Sequence, residues 1–518
     1  SQGVDHLVCL PKTAWPPSLV GWGRGCLGGK EMKNHKKVLA MFLGTMMAVS
    51  ALAGCSSAET TNGSSASSGS SSASAEQGAS ASASAGEAAN TELSGTLKLY
   101  GPGLFTDVGP DGNTDIVTGV SRPGYNEVLE RWNELYPNVE VQIETIPWDN
   151  WKAACQTAAL SGDVDIILHG SSITPICEPL TDYLEQDPEV KDAVGMMAMR
   201  KDADIAPLNE YVPYGLTITV NPVMVVIDKE IFEHYGVDLP DYENWTTQDV
   251  LDLAKATTGT DPVTGKETYG ISLIEAASAN KNYIWASRAF NDVIYEWGDT
   301  LADTKVNFKN DTTKEVLNYL NSFTPYTSPD YYEGLDINNA YTEDNNIAMI
   351  IIEDAYNAYN TIKAAGLEDK YMMAALPKIQ SGEFEGITSS HMGDWNMAIC
   401  NTSEQKDLAW EFMKFMVTDE VVQQWLLDAF SIPANKEASG KLGDYMPADY
   451  ADAISYVVST SPLEFSASAN DCYDSNNFGT FANDLTTVIN EMYQGNMDAD
   501  QAMDYVQKNL DDYMSTLS

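Results

Sequence analysis

The sequence predicts an α/β fold with a largely parallel sheet, and three patterns carry that prediction. Asp165-Ile166-Ile167-Leu168 and residues 223–227 are short, nearly continuous apolar runs, the composition of strands buried on both faces. Other stretches place apolar residues three and four apart, as in Val128, Leu129, Trp132, Leu135 and Tyr136, and so bury one stripe of a helix. The two kinds of segment alternate along the chain, which is the order of parallel strands joined by helical crossovers.

The first 95 residues are expected to contribute nothing to this fold. Residues 1–31 precede Met32 and fit over-extended translation, because the basic head of an export signal belongs near the start of a chain. The glycine run Gly21-Trp22-Gly23-Arg24-Gly25 follows no strand and opens no helix, so it is not a nucleotide loop. Residues 32–54 read as a signal peptide. Lys33-Asn34-His35-Lys36-Lys37 is its basic head, and residues 38–53 are apolar but broken by Gly44, Thr45 and Ser50. Leu52-Ala53-Gly54-Cys55 resembles a bacterial lipobox, which implies acylation of the Cys55 thiol and a body tethered at the outer face of the cell membrane. Residues 55–95 are then anchor and linker. They are mostly Ser, Ala, Gly and Thr, and bury too little apolar surface to offset their backbone entropy.

The body, residues 96–518, is long enough for two domains. Residues 1–55 hold six of the 29 Lys/Arg and two of the 75 Asp/Glu, so 23 basic and 73 acidic residues remain, a net charge of −50. That surface repels nucleic acid and anionic lipid. Cys155, Cys177, Cys400 and Cys472 are widely spaced, show no metal or redox motif, and leave any pairing open. Leu97 and Leu99 alternate with polar neighbours until Gly101-Pro102-Gly103 breaks the strand, and Pro137 ends the helix that carries Trp132. Val139, Val141 and Ile143 form a half-buried strand. Later, Leu408, Phe412, Phe415 and Met416 make one helical stripe, and Val422, Trp425, Leu426 and Ala429 another.

An ordered set of segments then resembles the extracellular solute-binding proteins of ABC importers, in their carbohydrate-binding branch. Pro147-Trp148-Asp149-Asn150-Trp151, then Leu160-Ser161-Gly162-Asp163-Val164-Asp165-Ile166-Ile167, resembles that family's segment through a core strand, with Val164 where the family usually has Pro. Glu178-Pro179-Leu180-Thr181-Asp182-Tyr183 resembles its next helix start. Val226-Ile227-Asp228-Lys229-Glu230-Ile231-Phe232, followed by Gly236 and Asn244-Trp245-Thr246-Thr247-Gln248-Asp249, is the most specific match. Thr246 and Asp249 also have capping-box spacing. Thr268-Tyr269-Gly270-Ile271, Ala348-Met349, residues 409–415 and Ile432-Pro433-Ala434 complete the series. The resemblance implies two lobes around a ligand cleft and a hinge crossed near Thr219, Ala340 and Gly393. Lobe 1 is expected to comprise 96–218 plus 340–392, and lobe 2 to comprise 219–339 plus 393–518. It further implies a monomer without a cofactor that hands a sugar, most suitably an oligosaccharide, to membrane permease subunits.

A pyranose offers C–H patches to aromatic rings and hydroxyls to polar side chains. The candidates lie just after strands or at matched positions: Trp148, Trp151, His169, Ser171, Tyr214, Asn282, Trp285, Tyr356, Asp394 and Trp395, with Trp395 foremost. Trp245, Trp410 and Trp425 sit in helix starts or stripes and are expected in the core, as is Trp297. A surface-anchored glycoside hydrolase, or a receptor for peptides or polyamines, would share the export signal and the acidity. No HExxH motif, GxSxG elbow or phosphate loop appears in the body. Asp111, Asn113 and Asp115 are spaced like the start of a calcium loop, but Arg122 stands where the twelfth-position Glu belongs. The repeats of an adhesin are absent.

Overall fold

The computed structural model describes residues 89–516 except 117–118, 170–175, 203, 209, 301, 330, 332–339 and 462–474, and no side chains of 475–480. The described residues lie in the unit Glu87–Ser518. The signal peptide, Cys55, most of the linker, Ser171 and Cys472 fall outside them.

The strands that position the site are, in chain order, β1 (Gly95–Gly101), β2 (Val139–Thr145), β3 (Ile166–Leu168), β4 (Met197–Arg200), β5 (Val212–Pro222), β6 (Met224–Asp228), β7 (Tyr295–Glu296), β8 (Lys305–Val306), β9 (Met349–Ile352), β10 (Tyr371–Ala375), β11 (Met392–Ile399) and β12 (Ile432–Pro433). Lobe 1 is a mixed sheet in the order β12-β5-β11-β3-β1-β2, with β4 also on β5. Only β2, β1 and β3 run parallel; β11, β5, β4 and β12 are antiparallel. Lobe 2 carries the antiparallel sheet β9-β6-β10. The sheet is therefore less parallel than the apolar runs suggest. Residues 223–227 are buried on both faces as expected, but burial constrains side-chain polarity and not strand direction.

The lobe boundaries also differ from expectation. Residues 340–392 were expected in lobe 1, yet β9 and β10 within them pair with β6 of lobe 2. From residue 393 on, β11 belongs to lobe 1 along nearly all its length, hydrogen-bonded to β3 and β5. The hinge crossings fall at Val223, at His391, whose carbonyl accepts from Val223 N at 2.8 Å, and after Pro433. Among the described residues no crossing lies near Ala340. The helix Ala448–Thr460 beyond the third crossing packs Tyr450, Ile454 and Val457 against Tyr371 and Met373 of β10.

Each lobe has its own core. In lobe 1 the helix α1 (Asn126–Leu135) buries Val128, Trp132 and Leu135, and Trp132 meets Phe412 and Phe415 of the helix Lys406–Thr418 edge to face at 5.0 and 5.2 Å. In order before it stand α2 (Trp151–Ser161), α3 (Thr247–Ala256), α4 (Asn280–Ala289) and α5 (Ala355–Ala364), and α6 itself is Lys406–Thr418. Trp410 and Trp425 are buried, their ring N–H groups donating to Asp187 Oδ2 (2.6 Å) and Gly124 O (3.0 Å). Trp245 opens the α3 segment of lobe 2 and donates to Ala375 O at 3.0 Å. Thr246 and Asp249 form the capping box that their spacing announces. Trp297, in contrast, is only half-buried and stacks on Tyr295.

In a turn of lobe 2, Asp261 is almost fully enclosed and accepts from the Val263 and Thr264 amides (2.8 Å each) and lies 2.8 Å from His234 Nδ1. Burial pushes its carboxyl up, but these donors outweigh burial and hold it at about 2. A depressed carboxyl stabilises the fold above its ordinary pKa and loses that contribution as pH falls through the folded value. Asp261→Asn is therefore expected to lower the urea unfolding free energy at neutral pH by roughly 1–3 kcal/mol. The gap from the parent should close as pH falls from 3.8 to about 2, read from urea midpoints across that window.

Candidate ligand cleft

The wall on lobe 1 begins where β2 and β3 end, the end of parallel strands at which α/β sheets place ligands. Past β2, Ile146 and Pro147 lead to Trp148, and Asn150 takes the left-handed conformation (φ 55°) that starts α2 at Trp151. Past β3, His169 is also left-handed (φ 58°), and its N–H is tied to Asn396 O of β11 at 2.5 Å. These two turns bring three rings together. Trp148 and Trp151 meet at 5.7 Å and 86°, and each lies 5.3 Å from His169 at 82° and 64°. All three are half-buried, so the cluster keeps ring surface open to a ligand.

Polar groups surround this cluster. Asp394 on β11 is half-exposed and accepts from Asn396 Nδ2 (2.7 Å) and Thr217 Oγ1 (3.2 Å). Lys152 places its Nζ 5.7 Å from the Trp151 ring, and burial, then Arg200, pushes its pKa down. His169 is pushed down chiefly by burial; the Asp394 carboxylate opposes this, and Arg200 and Lys152 reinforce it. A neutral imidazole results, able to donate from one nitrogen and accept at the other, and its Nδ1 is buried without a partner among the described residues.

Lobe 2 supplies groups that sequence reasoning missed. The end of β9 lies beside Met224, the first residue past the hinge, so Glu353 and Asp354 emerge there. Glu353 Oε1 pairs with Lys281 Nζ at 2.5 Å. Asp354 caps α5 by accepting from Asn357 N at 3.0 Å; burial pushes its carboxyl up, against hydrogen bonds from Asn357 and from Asn221 of β5. His391 has a buried Nδ1 without a partner among the described residues, and burial, Arg288 and Lys281 push its pKa down. One signal was available. A polar residue just after a buried strand is the signal at His169, and the same signal after Met349–Ile352 points to Glu353 and Asp354.

The cluster thus joins Trp148, Trp151, His169 and Asp394. The other described candidates are core residues. Trp395 neighbours Asp394 in sequence but points to the opposite face of β11, as strand alternation requires. It is 6% exposed, meets Phe105 edge to face at 5.0 Å and donates to Pro102 O at 3.1 Å. Gly103 makes room for it, because a Cβ there would fall 1.8 Å from its Nε1. Tyr214 is buried under α2 beside Cys155, Cys177 and Cys400, with its hydroxyl on Asp202. Asn282 spends its amide on Ile274, accepting from N (3.1 Å) and donating to O (2.8 Å). Trp285 is fully buried against Tyr319, and Tyr356 packs on Phe430 and Tyr359. At the calcium-like spacing, Arg122 Nε donates to Asn113 Oδ1 at 3.0 Å, so a side-chain cation already occupies that turn. Among the described residues no group of His, Cys, Asp or Glu is arranged to hold a metal, and no helix is long and apolar enough to cross a membrane.

Trp395→Ala is expected to lower the unfolding free energy by about 3–5 kcal/mol through lost transfer energy and a cavity. Trp151→Ala should lose less, roughly 1 kcal/mol, because its ring is only half-buried and its removal leaves no enclosed cavity. Urea midpoints of the two variants separate core from wall.

Known proteins share this architecture. The family model described as bacterial extracellular solute-binding protein matches residues 118–423. An arabinooligosaccharide-binding protein of Halalkalibacterium halodurans is 23% identical over 336 residues, 60% of this chain and 68% of that one. The sugar-binding protein of Xanthomonas citri has the same fold at a TM-score of 0.62 and 13% identity, with 82% of this chain and 98% of that one covered. A sugar transporter structure from Rhizobium etli, in an open conformation, gives 0.60 and 15%, covering 80% and 98%.

Proposed function

The chain belongs to the bacterial extracellular solute-binding proteins, and from that premise we propose that it captures an oligosaccharide between its lobes and delivers it to the permease of an ABC importer. The observation that carries the reading is the half-buried ring cluster Trp148–Trp151–His169 beside Asp394. Ring faces and edges cover the C–H patches of a sugar, the neutral His169 exchanges hydrogen bonds with hydroxyls, and Asp394 accepts from them. The arabinooligosaccharide-binding relative supports an oligosaccharide as the ligand. Binding and closure are the whole of the work, and no bond is made or broken. Cys55 carries the lipid that holds the protein, as a monomer, at the outer face of the membrane.

A thermal-shift panel of arabino-, xylo- and malto-oligosaccharides, with amino acids and polyamines as competitors, is expected to single out one oligosaccharide series, since a ligand that binds only the native state raises its melting temperature. A shift with polyamines or amino acids alone would overturn the sugar reading. With the sugar found, Trp151→Ala should weaken its binding by about 2 kcal/mol or more, as aromatic anchors do. Reducing ends released in proportion to protein, and abolished by a single carboxylate substitution, would replace transport with hydrolysis. Cys55→Ser should release folded protein into the medium, and retention of that variant in the membrane fraction would remove the anchor.

A further inference from the structure

One cation of lobe 1 lies over two rings that belong to different lobes. Lys201 follows β4, and its Nζ is 3.7 Å from the centroid of Tyr211 and 4.8 Å from that of Trp297. Tyr211 precedes β5 and packs on the lobe 1 core. Trp297 follows β7 in the β7–β8 hairpin of lobe 2, where it stacks on Tyr295 at 5.2 Å and 19°; Tyr295 in turn packs on the lobe 2 core. The same two segments line a cavity of about 490 Å³, with Asp204, Ile205 and Pro207 on one side and Trp297 and Asp299 on the other. Lys201 also directly follows Arg200, whose charge reaches His169 and Lys152 in the ring cluster.

We infer that Lys201 is a closure residue: held between Tyr211 and Trp297, it stabilises the arrangement in which the lobes meet, and so sets affinity without touching the ligand. The inference rests on the reading of the chain as a receptor whose lobes close on a solute. A ligand that binds only the closed form has an apparent affinity reduced by the fraction of protein in that form. A cation–π contact changes such an equilibrium by a factor of about two to thirty. The loop after Lys201 is tied down by Asp202, with the amides of Ile205 and Ala206 on its carbonyl (3.2 and 3.0 Å), that of Asp204 on its carboxylate (2.9 Å), and the Tyr214 hydroxyl. The hairpin is fixed separately by Asn307 N on Ile294 O (2.7 Å) and Gly298 N on Thr304 Oγ1 (3.1 Å).

The test is hydrogen exchange by mass spectrometry on the ligand-free full chain and on Lys201→Ala, Lys201→Arg and Trp297→Leu. Lys201→Ala is expected to speed exchange together in residues 204–208 and 297–304, one segment from each lobe, with β1 and β9 unchanged. Trp297→Leu should give the same pattern from the other side, and Lys201→Arg, which keeps a cation over the rings, should restore the parent. Acceleration confined to residues 204–208 would make Lys201 a prop for its own loop and overturn the inference, as would no acceleration or an arginine variant that behaves like alanine. Should Lys201→Ala fail to fold, the lobe 1 response to Trp297→Leu decides alone. Titration with arabinotriose and maltotriose then adds a second readout. Whichever sugar binds should lose about two- to thirty-fold in affinity with the preference between the two unchanged, whereas a change of preference would put Lys201 on the ligand and overturn closure. If exchange responds as expected and no sugar of the arabino-, xylo- and malto-oligosaccharide panel binds the parent protein, closure stands and the oligosaccharide reading fails.

Discussion

Strand Val212–Pro222 belongs to one sheet and, after the single residue Val223, Met224–Asp228 belongs to the other. Every other feature of the cleft depends on that continuity. Beside it, β11 returns along β5, and Val223 N donates to His391 O at 2.8 Å, so two of the three crossings are bonded to each other at the pivot. Pro222 faces Met392 in the register and has no N–H to give the ladder. The pairing is therefore thinnest where the lobes must rotate, and a rotation needs dihedral changes in only a few residues. Lengthening either lobe elsewhere would leave this pivot intact.

The pivot also explains the polarity of the walls. The ring cluster of lobe 1 reaches the cleft from the ends of β2 and β3 and Asp394 from β11, while Glu353 and Asp354 of lobe 2 follow the end of the buried strand β9. Burial and cationic neighbours act in the same direction on His169 from one lobe and on His391 from the other. Both imidazoles are held towards the neutral form within a chain of net charge −46. Neutral donors and acceptors suit hydroxyls, which carry no charge to compensate.

Local signals in the sequence were the dependable ones. Trp148, Trp151 and His169 lie within a few residues of strand ends, so chain position alone brings them forward as candidates. The Thr246–Asp249 cap and the buried Trp245, Trp410 and Trp425 were equally plain, because spacing and helical period are local properties. What failed depended on distant partners. The direction of residues 223–227 is set by β9 and β10, more than a hundred residues later, and the same pairing moves 340–392 into lobe 2. Trp395 was misread for a finer reason. Asp394 and Trp395 face opposite sides of β11 by ordinary alternation, and which of the two meets Phe105 is decided by distant packing rather than by their neighbours in the chain. Asn282 and Trp285 stand on a helix buried on nearly every side, which no stripe on its sequence discloses.

The placement of the ring cluster bears on how such a receptor changes over generations. Trp148 and His169 lie outside the strands and Trp151 is the first residue of a helix, so none of the three side chains stands within a strand, although the His169 amide is bonded to Asn396 O of β11. Their replacement alters what the cleft presents and leaves the ladders of β1, β2 and β3 as they were. Trp395, in contrast, is interlocked with Gly103, where no other residue fits, so the two can drift only together. Change at the ring cluster is thereby separated from risk to folding: turn residues can be exchanged one at a time while the pivot and the core stay as they are.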